Sequence, residues 1–408
     1  MVYPPEEDAA GRAQGADALI ATAPAEFPAT GTLTYMNVGS RGLMSRRVRA
    51  ALGELLDDHT FGAGNREAWK TAAAEARALF ARLINAATDE VVLTRNTSDG
   101  LNALANAMPW QSGDNMVVTP DLEEPTTIYA WYNLRRLGVE VRDVLPRGPF
   151  YDIERMVDAI DSRTRLLVAC SETWAPGLRT DIDTLGRACR ERGVFFVVDA
   201  VQSAGVMPLD VERSCIDGLS AATYKSLLGL HGMGFLYCRR EWAERLRPAY
   251  LAREGVELAS ARAFQRREGE YALGAGTGRF QIGHLNYVAS TAVRTSLDYL
   301  LEIGATAIEA HVSGLANRLA AGLIELGLGV ASGQPGPHFG HLVCVGTPGF
   351  GDSQLSTGDE ALDRLARFLE ARDVVFSIRN GQLRFALHLY NTEADVERVL
   401  VLTREQLG

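Results

Sequence analysis

Lysine is nearly absent from this chain. Lysine and arginine total 41, but lysine stands only at Lys70 and Lys225, which leaves 41 − 2 = 39 arginines. Chemistry that needs a lysine amine therefore has two candidates. Cysteine is scarce as well: Cys170, Cys189, Cys215, Cys238 and Cys344 are odd in number, far apart, and form no CxxC pair or zinc-ligand spacing with histidine. A disulfide framework and a metal centre are both disfavoured, and five reduced, mostly buried thiols are expected. No apolar run approaches the roughly 18 residues of a membrane span, and MVYPPEEDAAGRAQGADALI lacks a basic start followed by an apolar block. No membrane association and a cytoplasmic location are expected. Positive charge is in deficit, with 51 acidic residues, a net charge of -10 and a pI near 5.3, so the chain repels a polyanion and nucleic acid is not an expected partner.

The remaining composition is that of a folded chain. At 408 residues and 47% hydrophobic, it is long enough for two domains and a large core. Residues 1 to about 30, rich in Ala, Pro, Gly and Glu, show no clear period and read as an arm or loosely packed extension. Helical spacing follows in RRVRAALGELLDD and REAWKTAAAEARALFARLI. Apolar β-branched runs then alternate with helical stretches: VVLT at 91–94, MVVT at 116–119, VEVRDV at 139–144, RLLVAC at 165–170, VFFVVDA at 194–200 and MGFLYC at 233–238. Apolar strands separated by helices predict an α/β fold with a mainly parallel sheet covered on both faces, its sites at the carboxyl ends of the strands. Beyond about residue 285 the order changes to long helices, the strand HLVCV, the helix DEALDRLARFLEAR, the strands VVFSI and LRFAL, and a last helix. The expected organisation is an arm over 1–34 packed with the small domain, a large domain over 35–285 and a smaller α+β domain over 286–408.

Several familiar motifs are missing. Gly229, Gly232 and Gly234 run GxxGxG, and Gly274, Gly276 and Gly278 meet Arg279 where GxGxxG would close, so no nicotinamide site is indicated. Neither lysine ends a phosphate-binding GxxxxGK[ST] loop, no HExxH occurs, and Ser40 lacks the glycine two residues before it that a nucleophile elbow requires.

One constellation remains. In FFVVDAVQSAG, Asp199 ends a fully apolar run, where an isolated carboxylate must be paired or have its pKa shifted. In LSAATYKSLLGLHGMGFLYC, Lys225 sits among small and apolar residues, where desolvation lowers its pKa and lets it form an imine. A lysine imine with an aspartate partner is what pyridoxal 5'-phosphate requires. LTRNTSDGLNALANAM supplies a strand, then Asn96, Thr97 and Ser98, then a helix start able to hold phosphate; the competing reading is an ordinary helix cap.

These stretches, with GLRTDIDTLGRACRERGVFFVVDAVQSAGVMPLDV, GRFQIGHLNY and LRFALHLYNTEADVERVL, resemble the class V aminotransferase family of fold type I pyridoxal-phosphate enzymes. The resemblance runs from about Asn37 to the end and is greatest for the isopenicillin N epimerase-like branch, which neighbours the cysteine desulfurases. It implies a large mainly parallel seven-stranded sheet domain with a smaller α+β C-terminal domain, a homodimer with shared active sites, and an amino-acid substrate. It further implies that Lys225 holds the cofactor and shuttles the α proton, that Asp199 keeps the pyridine nitrogen protonated, and that Gln202 faces the phenolic oxygen. Thr97, Ser98 and Tyr224 would hold the phosphate, with Thr223 a weaker candidate. Arg384 would grip the substrate carboxylate through its guanidinium fork. Asn37 and Trp174 would line the substrate pocket, Asn37 being as readily a turn residue.

Departures from the family pattern bear on the reaction. VVFSIRNGQLRF has no cysteine where desulfurases carry the catalytic one, and Cys344 lies far upstream. Glu124 stands where many relatives stack an aromatic or histidine on the cofactor; either the alignment slips, bringing Tyr129 or Trp131 into play, or the pocket uses a carboxylate. His284 falls where relatives have a threonine that reaches the neighbouring subunit's cofactor phosphate, and a histidine there could donate the same hydrogen bond or serve as an acid-base group; packing at a dimer seam is the competing reading. The expected activity is a C-S lyase acting by β-elimination on a cysteine conjugate, with amino transfer, epimerisation and a non-catalytic pyridoxal-phosphate sensor as alternatives.

Overall fold

The computed structural model describes residues 9–258, 271–349 and 354–408. Its centre is a seven-stranded sheet in the spatial order Val91–Thr94, Gly234–Cys238, Gly218–Ala222, Phe195–Asp199, Thr164–Cys170, Asn115–Val118, Glu140–Asp143. Gly234–Cys238 runs antiparallel to both neighbours, and the other pairings are parallel. Alternation along one strand shows why both faces are covered. Phe195 and Val197 join the core on one side with Leu104, Met116 and Trp131, while Phe196 and Val198 join the core on the other with Phe80, Leu167 and Phe235.

Six of these strands coincide with the β-branched runs in the sequence. The seventh, Gly218–Ala222, reads GLSAA and has almost no strand propensity of its own. Its small residues answer a packing demand. Helix Thr97–Ala107 lies so close that a Cβ on Gly100 would stand 2.3 Å from the Ser220 hydroxyl, and that hydroxyl donates to the Thr97 carbonyl at 3.1 Å. The strand that leads to Lys225 is thereby tied to the helix start at Thr97.

A second sheet of three antiparallel strands has Gln382–Ala386 at its centre, between Leu342–Val345 and Ser377–Arg379. Helices Ala305–Glu325, Glu360–Glu370 and Glu393–Leu407 bury Leu319, Leu365, Leu369, Val396 and Val399 in a core of its own. At the amino end, residues 9–26 form a helix within the stretch that composition marked as an arm or loosely packed extension. Its alanine content supplies helix propensity, and Ala16, Ala23 and the following Phe27 are buried against the main core. No helix among the described residues is long and apolar enough to cross a membrane.

Candidate active site

Most of the chemically distinctive residues of the site follow the carboxyl end of a strand of the large sheet. Thr97 and Ser98 come after Val91–Thr94, Glu124 after Asn115–Val118, Trp174 after Thr164–Cys170, and Lys225 after Gly218–Ala222, while Asp199 ends Phe195–Asp199. The parallel arrangement aims them at one edge of the sheet. There a cavity of about 170 Å³ is lined by Thr97, Ser98, Glu124, Asp199, Tyr224 and Lys225, together with smaller neighbours.

The cap expectation falls on Asn96, which leaves Thr97 and Ser98 at the helix start. Asn96 caps the helix, accepting from the Asp99 N–H at 2.8 Å. Thr97 and Ser98 occupy the first two helical positions, whose N–H groups have no partner within the helix. The Thr97 hydroxyl is buried without a partner, and so is the side-chain oxygen of Gln202, whose side-chain amide N–H reaches the Gly39 carbonyl at 3.4 Å. An unsatisfied buried polar atom costs about 1–3 kcal/mol. The Thr97 hydroxyl on the cavity wall is what a ligand with a phosphate would satisfy.

Asp199 and Lys225 are both buried and respond oppositely. Burial raises the Asp199 carboxyl above the ordinary range, opposed by the Val201 N–H at 2.9 Å and the positive charge of Lys225. Burial lowers the Lys225 amine, Arg384 pushes it further down, and Asp199 and Glu124 pull it back. Lys225 therefore binds a proton weakly enough to exchange one near neutral pH. The turn that presents it is held from below, where Ser226 donates to the Gln202 carbonyl and His388 shares a 2.9 Å hydrogen bond with the Ser226 carbonyl. Lys70, the other lysine, is exposed and paired with Glu67 on a helix surface.

Tyr224 borders the cavity and stacks on His231, centroids 3.9 Å apart. Thr223 does not face it: its hydroxyl is buried and donates to the carbonyls of Leu230 and Met233, which removes it as a phosphate ligand. Glu124 does line the cavity, whereas Tyr129 is 69% exposed and Trp131 is buried in the core. The alternative that brought those two aromatics to the cofactor is therefore corrected. The Glu124 carboxylate accepts from both the N–H and the hydroxyl of Thr126, capping helix Pro125–Tyr132.

Arg384 is 2% exposed, with its guanidinium held on three sides by the Ser377 hydroxyl at 3.1 Å, the Trp174 carbonyl at 2.9 Å and the Ser40 hydroxyl at 2.8 Å. Burial pushes its pKa down to about 10. Asn37 adjoins this group: its carbonyl starts the turn to Ser40 and Arg41, and its side-chain oxygen is buried without a partner. The indole N–H of Trp174 is likewise buried and unpartnered. His284, like Thr223, is not brought in. Its side chain is 81% exposed, with Glu254 as its nearest acid at 3.9 Å, outside the cavity of its own protomer. Sequence reasoning missed Arg379 and the role of Ser40, whose hydroxyl also accepts from Arg379 at 3.3 Å. It also missed a fully buried pair, Glu172 and His341, which joins the segment leading to Trp174 to the small sheet through hydrogen bonds of 2.8 and 3.0 Å.

Comparison with known proteins then decides the family. The family described as aminotransferase class-V matches residues 59–399. The chain belongs to that family. Among its curated relatives, a probable cysteine desulfurase of Methanothermobacter thermautotrophicus is 30% identical over 79% of this chain and 80% of its own length. An uncharacterised aminotransferase of Bacillus subtilis is 29% identical over 92% of this chain and 94% of its own. Among solved structures, the apo cysteine desulfurase of Thermococcus onnurineus aligns with a TM-score of 0.79 at 24% identity, covering 93% of this chain and 96% of that one. A cystine C-S lyase in complex with its product cysteine persulfide aligns with a TM-score of 0.81 at 19% identity, covering 93% and 99%. The fold is that of the fold type I pyridoxal-phosphate enzymes, and this class-V member is an enzyme dependent on pyridoxal 5'-phosphate.

Proposed function

We propose that this class-V enzyme is a C-S lyase that expels the sulfur substituent from the β carbon of a cysteine conjugate. The coarser statement, a pyridoxal-phosphate-dependent C-S lyase or aminotransferase, carries the family's weight. The observation behind the narrower one is the state of the thiols. All five cysteines are free and buried. Cys344, paired with Arg384 across the small sheet, is fully buried and its thiol is pushed up to about 12 by burial. A desulfurase must offer a reactive thiolate to take the substrate's sulfur. Without an exposed thiol, the sulfur leaves on its own substituent.

The residues divide the work by geometry. Thr97 and Ser98 suit the cofactor phosphate, Gln202 its phenolic oxygen and Asp199 its ring nitrogen, and the bound cofactor would supply an electron sink for the α carbon. Arg384 orients the substrate by its α-carboxylate. Lys225 takes the α proton on Nζ, its basicity already lowered by burial. Tyr224 and the Asn37 turn close the sides of the pocket. We also propose a homodimer, in which the exposed His284 reaches the cofactor phosphate of a second copy, a division of the chain near residue 285, and a cytoplasmic location in keeping with unpaired thiols.

Purified enzyme with S-alkyl cysteines tests the reading. Pyruvate and free thiol in equal amounts are expected. A keto acid that keeps its sulfur, with the cofactor left in its amino form, would replace this reading by amino transfer, and α-deuterium exchange without product would replace it by epimerisation.

A further inference from the structure

Arg379 ends strand Ser377–Arg379, and Arg384 lies on the adjoining strand, opposite Ser377. Their terminal nitrogens converge on one neutral oxygen, the Ser40 hydroxyl, at 3.3 and 2.8 Å. Two guanidinium groups held this close repel each other, and neither forms an ion pair with an acid among the described residues. Glu124 is the acid whose field reaches Arg379; one of its carboxylate oxygens accepts from both the N–H and the hydroxyl of Thr126, and the carboxylate forms no ion pair with either arginine.

A count of donors separates the two arginines. A guanidinium has five N–H groups. Arg384 uses three, on Ser377, Trp174 and Ser40, which leaves one on each terminal nitrogen, the pattern a single carboxylate fills. Arg379 uses two, on the Ile378 carbonyl and on Ser40, and keeps three. Once an α-carboxylate has taken Arg384 and the cofactor has taken the α-nitrogen, the part of the substrate left to meet Arg379 is the group beyond the β carbon.

We propose that Arg379 is a specificity residue that binds an anionic group at the end of the substrate side chain, so that the preferred cysteine conjugates carry a carboxylate on the sulfur substituent. This deepens the lyase reading and rests on it only for the bond that breaks. The positive charge stands beside Arg384, with Ser40 between the two guanidinium groups, and the balancing anion comes with the ligand.

The test titrates the holoenzyme by its absorbance with two pairs of isosteric ligands: S-carboxyethyl cysteine against S-carbamoylethyl cysteine, and the non-scissile α-aminoadipate against its side-chain amide. The acid of each pair is expected to bind about tenfold tighter or more, the difference that one charge-assisted hydrogen bond makes. In R379M that ratio falls to about one, and R379K, which keeps the charge without the fork, falls between. A wild-type ratio of about one overturns the proposal whether or not the variants fold. So does an R379M ratio equal to the wild-type value with both ligands weakened, which would make Arg379 a helper at the α-carboxylate. An intact α-aminoadipate ratio without pyruvate from S-carboxyethyl cysteine supports the anion site and removes the lyase reading instead.

Discussion

The same sheet carries a buried acid beside a cation at each of its two edges, and only one of the pairs is short of partners. At the amino edge, Asp217 accepts from the Phe196 N–H and the Arg239 guanidinium, both at 3.1 Å, and Arg239 also reaches Glu212 and the carbonyls of Val211 and Ile216. At the carboxyl edge, Asp199 accepts from the Val201 N–H, and the cavity it shares with Lys225 has the unpartnered Thr97 hydroxyl on its wall. Burial raises both carboxyls, Asp217 to about 6. A shifted acid therefore does not by itself mark a functional site. What separates the edges is satisfaction: one network is closed, and the other is left open for something to complete.

The sharpest way to break this comparison is to remove one member from each edge. K225A should lose about 10³-fold or more in turnover, and D199N about 10²–10⁴-fold, with thermal stability unchanged or raised, because the open edge contributes function rather than stability. Steady-state rates beside melting curves check both. D217A should do the reverse and cost about 3 kcal/mol of folding stability by leaving Arg239 short of a buried partner, with KM unchanged in the folded fraction. Urea unfolding measures that loss. If D199N and D217A behaved alike, the distinction between an open and a closed network would fail.

Arg384 belongs to the open edge although it comes from the small sheet. R384Q should lower kcat/KM by roughly 10- to 100-fold, mostly through KM, since it removes one bidentate carboxylate contact. An effect confined to kcat would place Arg384 at the chemistry rather than at substrate binding. Saturation kinetics on one substrate separate the two.

Much of the open edge was legible in the sequence because its parts lie at strand ends, and strand ends show as the point where an apolar run meets a polar residue. Asp199 after FFVV and Asn96-Thr97-Ser98 after VVLT are of this kind. Lys225 was legible for a different reason: only one other lysine competed with it. Its strand was not, because GLSAA owes its extended form to the close approach of Gly100 rather than to its own propensity. Arg379 was hidden among 39 arginines, and its partner Ser40 lies 339 residues away in sequence, a contact no local pattern records. His284 was placed by resemblance alone, and within one protomer the fold keeps it outside the cavity.

The smallest effect concerns what lies behind the open edge. Glu123 is 2% exposed and accepts from the Tyr151 hydroxyl at 2.6 Å, and that hydroxyl also accepts from the N–H of Cys170, the residue paired with Asp199 across the sheet. Burial pushes the Glu123 carboxyl up to about 8; the Tyr151 hydrogen bond opposes this and the charge of Asp199 adds to it. The unfolded chain releases this proton near pH 4.3 and the folded one keeps it to about 8, so between those values the folded state holds one more proton. Stability then falls as pH rises, by about 1.4 kcal/mol per unit for one proton. His388 works against this lower down: burial pushes it to about 3, so the unfolded chain alone is protonated below about 6.5 and its contribution rises with pH up to that point. The two oppose each other in the acid range and separate above it. From pH 6.5 to 8, wild-type stability in urea should fall by about 1–2 kcal/mol, and E123Q, which keeps the shape without the titration, should fall measurably less. An equal fall in both would take the slope away from Glu123, and Asp199 could not supply it, because a carboxyl raised only to about 6 is already ionised in the folded and the unfolded chain over this range.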